Sequence, residues 1–309
     1  MRELLGPGSC NGYFSAAIDL RNIGNRVVGS GLSEVRGRKG FTAIMNSGIA
    51  IPGPVELLLR LLENAGRLGL FLFRFAREIP PGLRYVRLFL VQCNHIGTGS
   101  LPLVFLTSVF VGAVAALQTT YQFQGAIPLV YVGTVVAKSV VIELGPVLTA
   151  LVVGARVSSS IAAEIGTMKV TEQVDALETL AIRPLRFLAV PRFLATVLMV
   201  PVVTVYADAI AILGGMGVAV SRIGMSSHTF TRGMKMLFEV NDIYGGLLKA
   251  FVFGAVIALS GCYYGFHTSG GAEGVGASTR KAVVASCVLI LVADYFLAEV
   301  IFRLIFPPS

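Results

Sequence analysis

Charge is what this sequence has least of. Asp, Glu, Lys and Arg make up 14% of its 309 residues, against 55% hydrophobic residues and a mean hydropathy of +0.78. A soluble domain of this length needs about a quarter of its residues charged to cover its surface. That excludes a soluble globular class and leaves a polytopic membrane protein. Trp is absent, and there are only four Cys and three His. Cys10, Cys93, Cys262 and Cys287 form no CxxC pair, and the last two lie in apolar runs, so neither a disulfide framework nor a thiolate metal site is expected. His95, His228 and His267 are far apart at expected loops or span edges and offer no metal ligand set. No GxxxxGK[ST], HExxH or GxSxG occurs. The chain therefore has no Walker ATPase site of its own, binds no cofactor by any motif it carries, and assembles no nucleophile with a base. With no apolar h-region near its start, no secretory signal peptide is expected.

The net charge of +8 is unevenly placed. Residues up to Arg87 hold 12 of the 25 basic residues and 6 of the 17 acids, so +6 of the +8 lies there. A basic N-terminal region beside a membrane points to anionic headgroups and a cytoplasmic N-terminus. Nucleic acid is the competing reading of the basic balance, but no exposed aromatics interleave with these cations, so no nucleic-acid partner is expected.

Residues 1–45 are rich in Gly, Asn and Arg and follow neither helical nor strand period. They are expected to be a disordered or non-native extension, with Met45 an alternative start, ahead of a single membrane domain at 46–309. From Val55 to Glu78 the pattern changes. Glu56, Arg60, Glu63, Arg67, Arg74, Arg77 and Glu78 share about 100° of a helical wheel, and almost everything else is apolar or Gly. A narrow charged stripe on a wide apolar face suits a helix lying in the membrane interface over 55–79, ended by Pro80 and Pro81.

Five apolar segments follow, each near the roughly 20 residues a span requires: Gly97–Tyr121, Val132–Ser158, Phe187–Val218, Tyr244–His267 and Ala282–Phe306. The basic residues between them place the N-terminus, the 159–186 loop and the 267–281 loop in the cytoplasm, with the 219–243 loop and Ser309 outside. In the second span Ala150, Gly154, Ser158, Ala162 and Gly166 recur every fourth residue, a face on which another helix can pack closely. Gly214, Gly215 and Gly217 suggest a second tight contact or a local break. Ionisable residues at membrane depth face a partner helix or a wet cavity. Glu143, Asp208, Lys249 and Asp294 are of this kind, and Glu143 and Lys249 suit a pair between the second and fourth spans. Lys138 and Glu299 lie near enough to span ends to snorkel.

The 159–186 loop is a polar island between apolar spans. Over Ala163–Leu180 its pattern suits one amphipathic helix, with Val170, Val174, Leu177 and Ala181 on one face and Glu164, Glu172, Asp175 and Glu178 on another. These charges cannot sit in hydrocarbon. A membrane protein with a cytoplasmic acidic helix and no engine of its own presents that helix as a docking point for an external one.

The runs IELGPVLTALVVGAR (Ile142–Arg156), AEIGTMKVTEQVDAL (Ala163–Leu177) and RPLRFLAVPR (Arg183–Arg192) resemble the MlaE permease family. These are membrane subunits of ABC transporters that work with MCE-domain proteins. The family includes the bacterial lipid-asymmetry system, the mycobacterial YrbE proteins and the chloroplast lipid importer permease. The resemblance covers about residues 55–306, including RLGLFLFRF (Arg67–Phe75) and ALQTTY (Ala116–Tyr121). It implies an all-α fold of one interfacial helix and five transmembrane helices, forming a homodimer in the bacterial inner membrane. It implies a coupling helix, here Glu164, Gly166, Met168, Glu172, Gln173, Asp175, Ala176 and Leu177, seated in a groove of a cytoplasmic ATPase that holds the ATP and Mg. It also implies phospholipid in an apolar cavity beneath an external ring of MCE domains, with a small STAS-domain protein as a further partner. Members commonly carry Arg before the Glu of ELGP, where this sequence has Ile142. Glu143, Lys249 and Asp294 fall where the family tends to carry charge. Phe110, Ala113, Leu117 and Tyr121, spaced to share a face of the first span, are the candidates for the cavity.

Two other functions fit the composition. An ion-coupled secondary transporter would use Glu143, Asp208, Lys249 and Asp294 directly, and an intramembrane lipid-modifying enzyme would need an assembled site that no motif supplies. The acidic island favours the ATP-driven reading over both.

Overall fold

The computed structural model describes residues 54–82, 85–123 and 127–304; residues 1–45 lie outside them. Every regular element among the described residues is helical. Helix α1 spans Pro54–Gly82 and α2 spans Val86–Phe123. Helix α3 (Val130–Ser139), a π-helical turn (Val140–Leu144) and α4 (Gly145–Val170) join end to end into one rod. The short α5 (Gln173–Thr179) follows, then a second π-turn (Leu185–Ala189) leading into α6 (Val190–Ser221). Helices α7 (Ser227–Met236), α8 (Val240–Phe266) and α9 (Gly271–Leu304) complete the chain. Among the described residues five rods are long and apolar enough to cross a membrane: Val86–Phe123, Val130–Val170, Leu185–Ser221, Val240–Phe266 and Gly271–Ile301, with mean hydropathies of 1.8 to 2.2. The protein is a multi-pass membrane protein built from five spans.

The rods run past the limits read from hydropathy, most at the end of the second span, which continues from Ser158 to Val170. Hydropathy ends a span where polar residues begin, but a helix continues while those residues find partners. Ser158 lies 3.2 Å from Ser286 on α9, and Glu164 lies 2.9 Å from the Arg192 guanidinium on α6.

Both π-turns sit directly before an X-Pro step, Gly145–Pro146 and Val190–Pro191. A helical proline lacks an N–H, and its ring clashes with the carbonyl four residues back. Widening the preceding turn removes the clash without breaking the rod. In each case the last N–H before the proline bonds five residues back, Gly145 to the Val140 carbonyl and Val190 to the Leu185 carbonyl.

The small-residue face of the second span is buried along its whole length, at Ala150, Gly154, Ser158, Ala162 and Gly166. Helices α8 and α9 pack on it. A Cβ on Gly154 would meet Ile257 and Ile290 at 3.1 to 3.3 Å, and one on Gly261 would meet Ile161 and the Ser158 carbonyl at 3.0 Å. Helix α2 packs mainly on α6. At their crossing a Cβ on Gly112 would lie 1.7 Å from the Ala211 carbonyl oxygen, and one on Gly214 would lie 2.6 Å from that of Val109. The glycines of the third span thus mark a tight contact; no break occurs, and Gly217 has nothing within 4 Å of its Cβ position. The 219–243 loop contains α7, capped by the Ser226 hydroxyl and held to α3 by Thr134, which donates to the Gly233 carbonyl at 2.5 Å.

Candidate functional site

The polar island is two pieces, not one helix. The second span carries Glu164, Gly166 and Met168 in its last turns and ends at Val170, and a separate α5 begins at Gln173. Glu172 joins them with φ +61°, a left-handed conformation that costs a non-glycine residue on the order of 1 kcal/mol. Continuous amphipathic periodicity gave no sign of it. Helix α5 ends in a Schellman motif: the Ile182 N–H reaches the Leu177 carbonyl and the Ala181 N–H reaches that of Glu178, both at 3.0 Å. Ala181, at φ +58°, occupies the position glycine usually takes. Left-handed residues thus bracket α5, fixing its angle to the spans on either side.

Within this segment Val174 is buried and Leu177 half-buried, as the apolar face required, while Ala181 is exposed. Glu172, Gln173, Asp175, Ala176 and Glu178 are exposed, and Leu180 keeps 70% of its surface open. Lys169 ties the end of the span to α5 through Asp175 at 2.7 Å. Glu164 is turned inward to Arg192, and Gly166 is buried against Thr268. The outward surface is therefore formed by Glu172, Gln173, Asp175, Ala176 and Glu178, with Leu180 at its edge.

A feature the sequence reading did not anticipate holds this segment in place. Glu78, 7% exposed, departs from the outward stripe of α1. Its two oxygens accept hydrogen bonds from Arg183 at 2.5 Å and Arg186 at 2.8 Å, just beyond α5. Burial pushes its carboxyl upward, but the hydrogen bonds and charges of Arg183 and Arg186 outweigh that and hold it below its ordinary value of 4.5. Arg74 and Arg77 are exposed, as the stripe predicted, while the side chains of Glu56, Arg60, Glu63 and Arg67 lie outside the described set. The basic residues of RPLR were the available signal for the Glu78 contact.

The membrane-depth charges form a second constellation. Lys249 is 1% exposed and its Nζ lies 2.5 Å from Glu143 Oε1 and 3.0 Å from Asp294 Oδ1. The expected Glu143–Lys249 pair is present, and Asp294 makes it a three-helix cluster. Asp208 does not join it through any hydrogen bond. Its Oδ1 is buried without a partner, pressed against Gly145, where a Cβ would lie 1.6 Å away. Lys138 does not snorkel to a free end; its Nζ lies 3.4 Å from the fully buried Asp242 of α8. Asp242 also accepts the Glu239 N–H at 3.0 Å in a capping box. The Glu239-x-x-Asp242 spacing before an apolar run was the signal for it. Glu299 is exposed and pairs with Arg303.

The candidate cavity residues lie on one outward face of α2, with Phe110 63%, Leu117 48% and Tyr121 74% exposed and Ala113 half-buried. No group of three or more His, Cys, Asp or Glu among the described residues could hold a metal ion.

Comparison with known proteins agrees with this architecture. Residues 89–300 match the family model for Permease MlaE. A probable ABC transporter permease protein of Rickettsia typhi is 39% identical over 245 residues, covering 79% of this chain and 95% of that protein. A Synechocystis protein of the same description is 39% identical over 214 residues, covering 69% of this chain and 81% of that protein. The chloroplastic protein TRIGALACTOSYLDIACYLGLYCEROL 1 of Arabidopsis thaliana is 36% identical over 137 residues, 44% of this chain and 39% of its own length. Five spans, a short helix presented between the second and third, and a match across most of the chain make this protein a member of the MlaE family of ABC transporter permeases.

Proposed function

We propose that the chain is the permease subunit of an ATP-driven phospholipid transporter, working as a homodimer with a cytoplasmic ATPase and an external MCE-domain protein. The observation that carries this reading is the surface of α5. Its acids face outward while Val174 anchors it, Lys169 ties it to the second span, and Glu78 holds Arg183 and Arg186 at the start of the third. A push on such a helix reaches two spans at once, which is what a partner that closes on ATP needs. The acids would meet basic or N–H groups of that partner. The lipid substrate is supported by the exposed aromatic and aliphatic face of α2 at Phe110, Leu117 and Tyr121, and by an Arabidopsis relative that carries a glycerolipid's name. The excess of basic residues before the first span supports a cytoplasmic N-terminus and a cytoplasmic α5, and the membrane of this reading is the bacterial inner membrane.

The test is copurification. Glu172→Lys or Asp175→Lys should abolish recovery of the ATPase with the permease while the permease keeps its unfolding temperature and its detergent elution volume. Lipid movement by the purified permease under an ion gradient, with no ATPase present, would refute the proposal in favour of an ion-coupled transporter.

A further inference from the structure

The end of the bundle that carries α5 also contains a cleft of about 760 Å³, bordered on one side by α5 itself through Val174 and Glu178. One wall is α1, with Phe71, Arg74 and Arg77; another is the end of α8, with Phe266 and His267; Arg183 closes a third side. The floor is aromatic. The Phe71 ring packs edge-on to Tyr263 at 5.5 Å and to His267 at 6.2 Å. His267 Nδ1 lies 2.7 Å from the Tyr263 carbonyl, which leaves Nε2 without that partner.

The charge around the cleft is unbalanced. Of its two acids, Glu78 is held by Arg183 and Arg186, and Glu178 stands on exposed α5. Lys169 is already paired with Asp175. Among the described residues Arg74 and Arg77 have no acidic partner, and they lie three residues apart on one helix. Two guanidiniums with no acidic partner among the described residues, over an aromatic floor, suit a phosphate-bearing anion with apolar substance attached.

A second cavity tells a lipid from a soluble anion or a protein loop. One helical turn beyond Glu78, at Gly82, begins an apolar groove of about 400 Å³, walled by Phe89, Leu194, Val197, Leu198 and Phe251. Glu78 and Gly82 share a face of α1, so the groove starts about 6 Å along the helix from the cleft. An apolar groove between α2, α6 and α8 suits an acyl chain better than a soluble anion or a polar protein loop. The cleft itself lies beside the end of the second rod at Lys169, the start of the third at Leu185 and the end of the fourth at Phe266.

We infer that this cleft holds an anionic glycerophospholipid as a resident ligand, its phosphate on Arg74 and Arg77 and an acyl chain in the groove beyond Gly82. None of Phe110, Ala113, Leu117 and Tyr121 lines the cleft or the groove, and the inference does not depend on what the transporter carries. Bound there, the lipid joins α1 to the ends of the spans that flank α5. Basic pockets between spans on the cytoplasmic side recognise anionic headgroups in this way.

The test is native mass spectrometry of the full permease, delipidated and then mixed with equimolar phosphatidylglycerol and phosphatidylcholine. Wild type should retain phosphatidylglycerol selectively. Arg74→Gln with Arg77→Gln should weaken that retention about 30-fold, since each basic group near an anionic surface contributes roughly fivefold. Arg74→Lys with Arg77→Lys should keep most of it, and an unchanged unfolding temperature of the lipid-free Gln variant shows that the fold is intact. Equal retention of phosphatidylcholine, or undiminished retention by the Gln variant, overturns the inference. Displacement of the lipid by millimolar inorganic phosphate would make this a free-phosphate site. Loss of lipid on addition of the ATPase, with the Gln variant losing ATPase binding, would make it a protein interface.

Discussion

Removing the positive member of the buried charge cluster should expose what that cluster is for. Lys249→Met keeps volume and apolar length but leaves Glu143 and Asp294 facing each other without a cation. The ammonium is 1% exposed and lies 2.5 and 3.0 Å from the two carboxylates. At an effective dielectric near 20, a unit pair at such distances interacts by about 6 kcal/mol, against which desolvation of both charges must be set. Breaking a buried pair by deleting one partner costs about 3–5 kcal/mol. Glu143 keeps 36% of its side chain exposed and can rehydrate, which points to the lower end, about 3 kcal/mol. For a chain of this size that is a fall in unfolding temperature of about 5 °C.

The informative partner is the triple variant Glu143→Gln, Lys249→Met, Asp294→Asn. Replacing a whole buried ionic group by neutral residues of similar volume is often neutral or stabilising, so most of the loss should return. Both variants are measured by thermal unfolding in one detergent and by ATP-dependent lipid transfer with the ATPase present. A loss below about 1 kcal/mol for Lys249→Met, or no recovery in the triple variant, refutes the account of the cluster as mutually compensating charge. If the charges are structural, the triple variant still transports. If it is stable yet inactive, the cluster takes part in the transport cycle and the ion-coupled alternative gains ground.

Two further outcomes follow from the packing and the interfacial contact. Gly112→Ala places a methyl 1.7 Å from the Ala211 carbonyl, so α2 and α6 must part; overpacking of this kind costs about 1–3 kcal/mol or more. Gly217→Ala, with nothing within 4 Å, should be neutral or stabilising in the same unfolding assay. The Glu78 contact should be sensitive to acid. Its folded value is depressed below 4.5, so its stabilisation is fully present above that pH and is lost as pH falls through the lowered folded value. Protease or hydrogen-exchange protection of residues 179–189 should therefore hold from pH 7 to about 5 and drop below 4.5. Glu78→Gln should show reduced protection throughout and no such drop.

The parts of this fold that were legible in the sequence were those set by periodicity and composition. Five spans follow from apolar runs, and the buried stripe from Ala150 to Gly166 follows from small residues at helical spacing, because both patterns act through one helix at a time. The Glu143–Lys249 pair was legible because lone charges at membrane depth must find each other. What escaped depended on backbone register or on two distant elements meeting. No hydrophobic pattern reports φ +61° at Glu172, which divides the acidic island. Glu78 belonged by periodicity to an outward stripe, yet two arginines more than a hundred residues away turn it inward. Asp242 was hidden by being assigned to a loop that is partly helix.

These missed features together describe a mechanical unit. The second span is widened by a π-turn at Val140–Leu144, runs as α4 for 26 residues, and stops at Val170, just before the left-handed Glu172. The third begins with its own π-turn at Leu185–Ala189. Each π-turn directly precedes a proline step and replaces i→i−4 backbone hydrogen bonds with wider i→i−5 ones. Between them lie α5 and its two left-handed ends. The Glu164–Arg192 pair joins the second span to the third across the second π-turn, and the Glu78–Arg183 pair joins α1 to the segment before the third span. The first π-turn holds Glu143, bound to Lys249 on the fourth span. That arrangement links the exposed acids of α5 to the buried charge cluster through one continuous helix, α4, and the turn at its head.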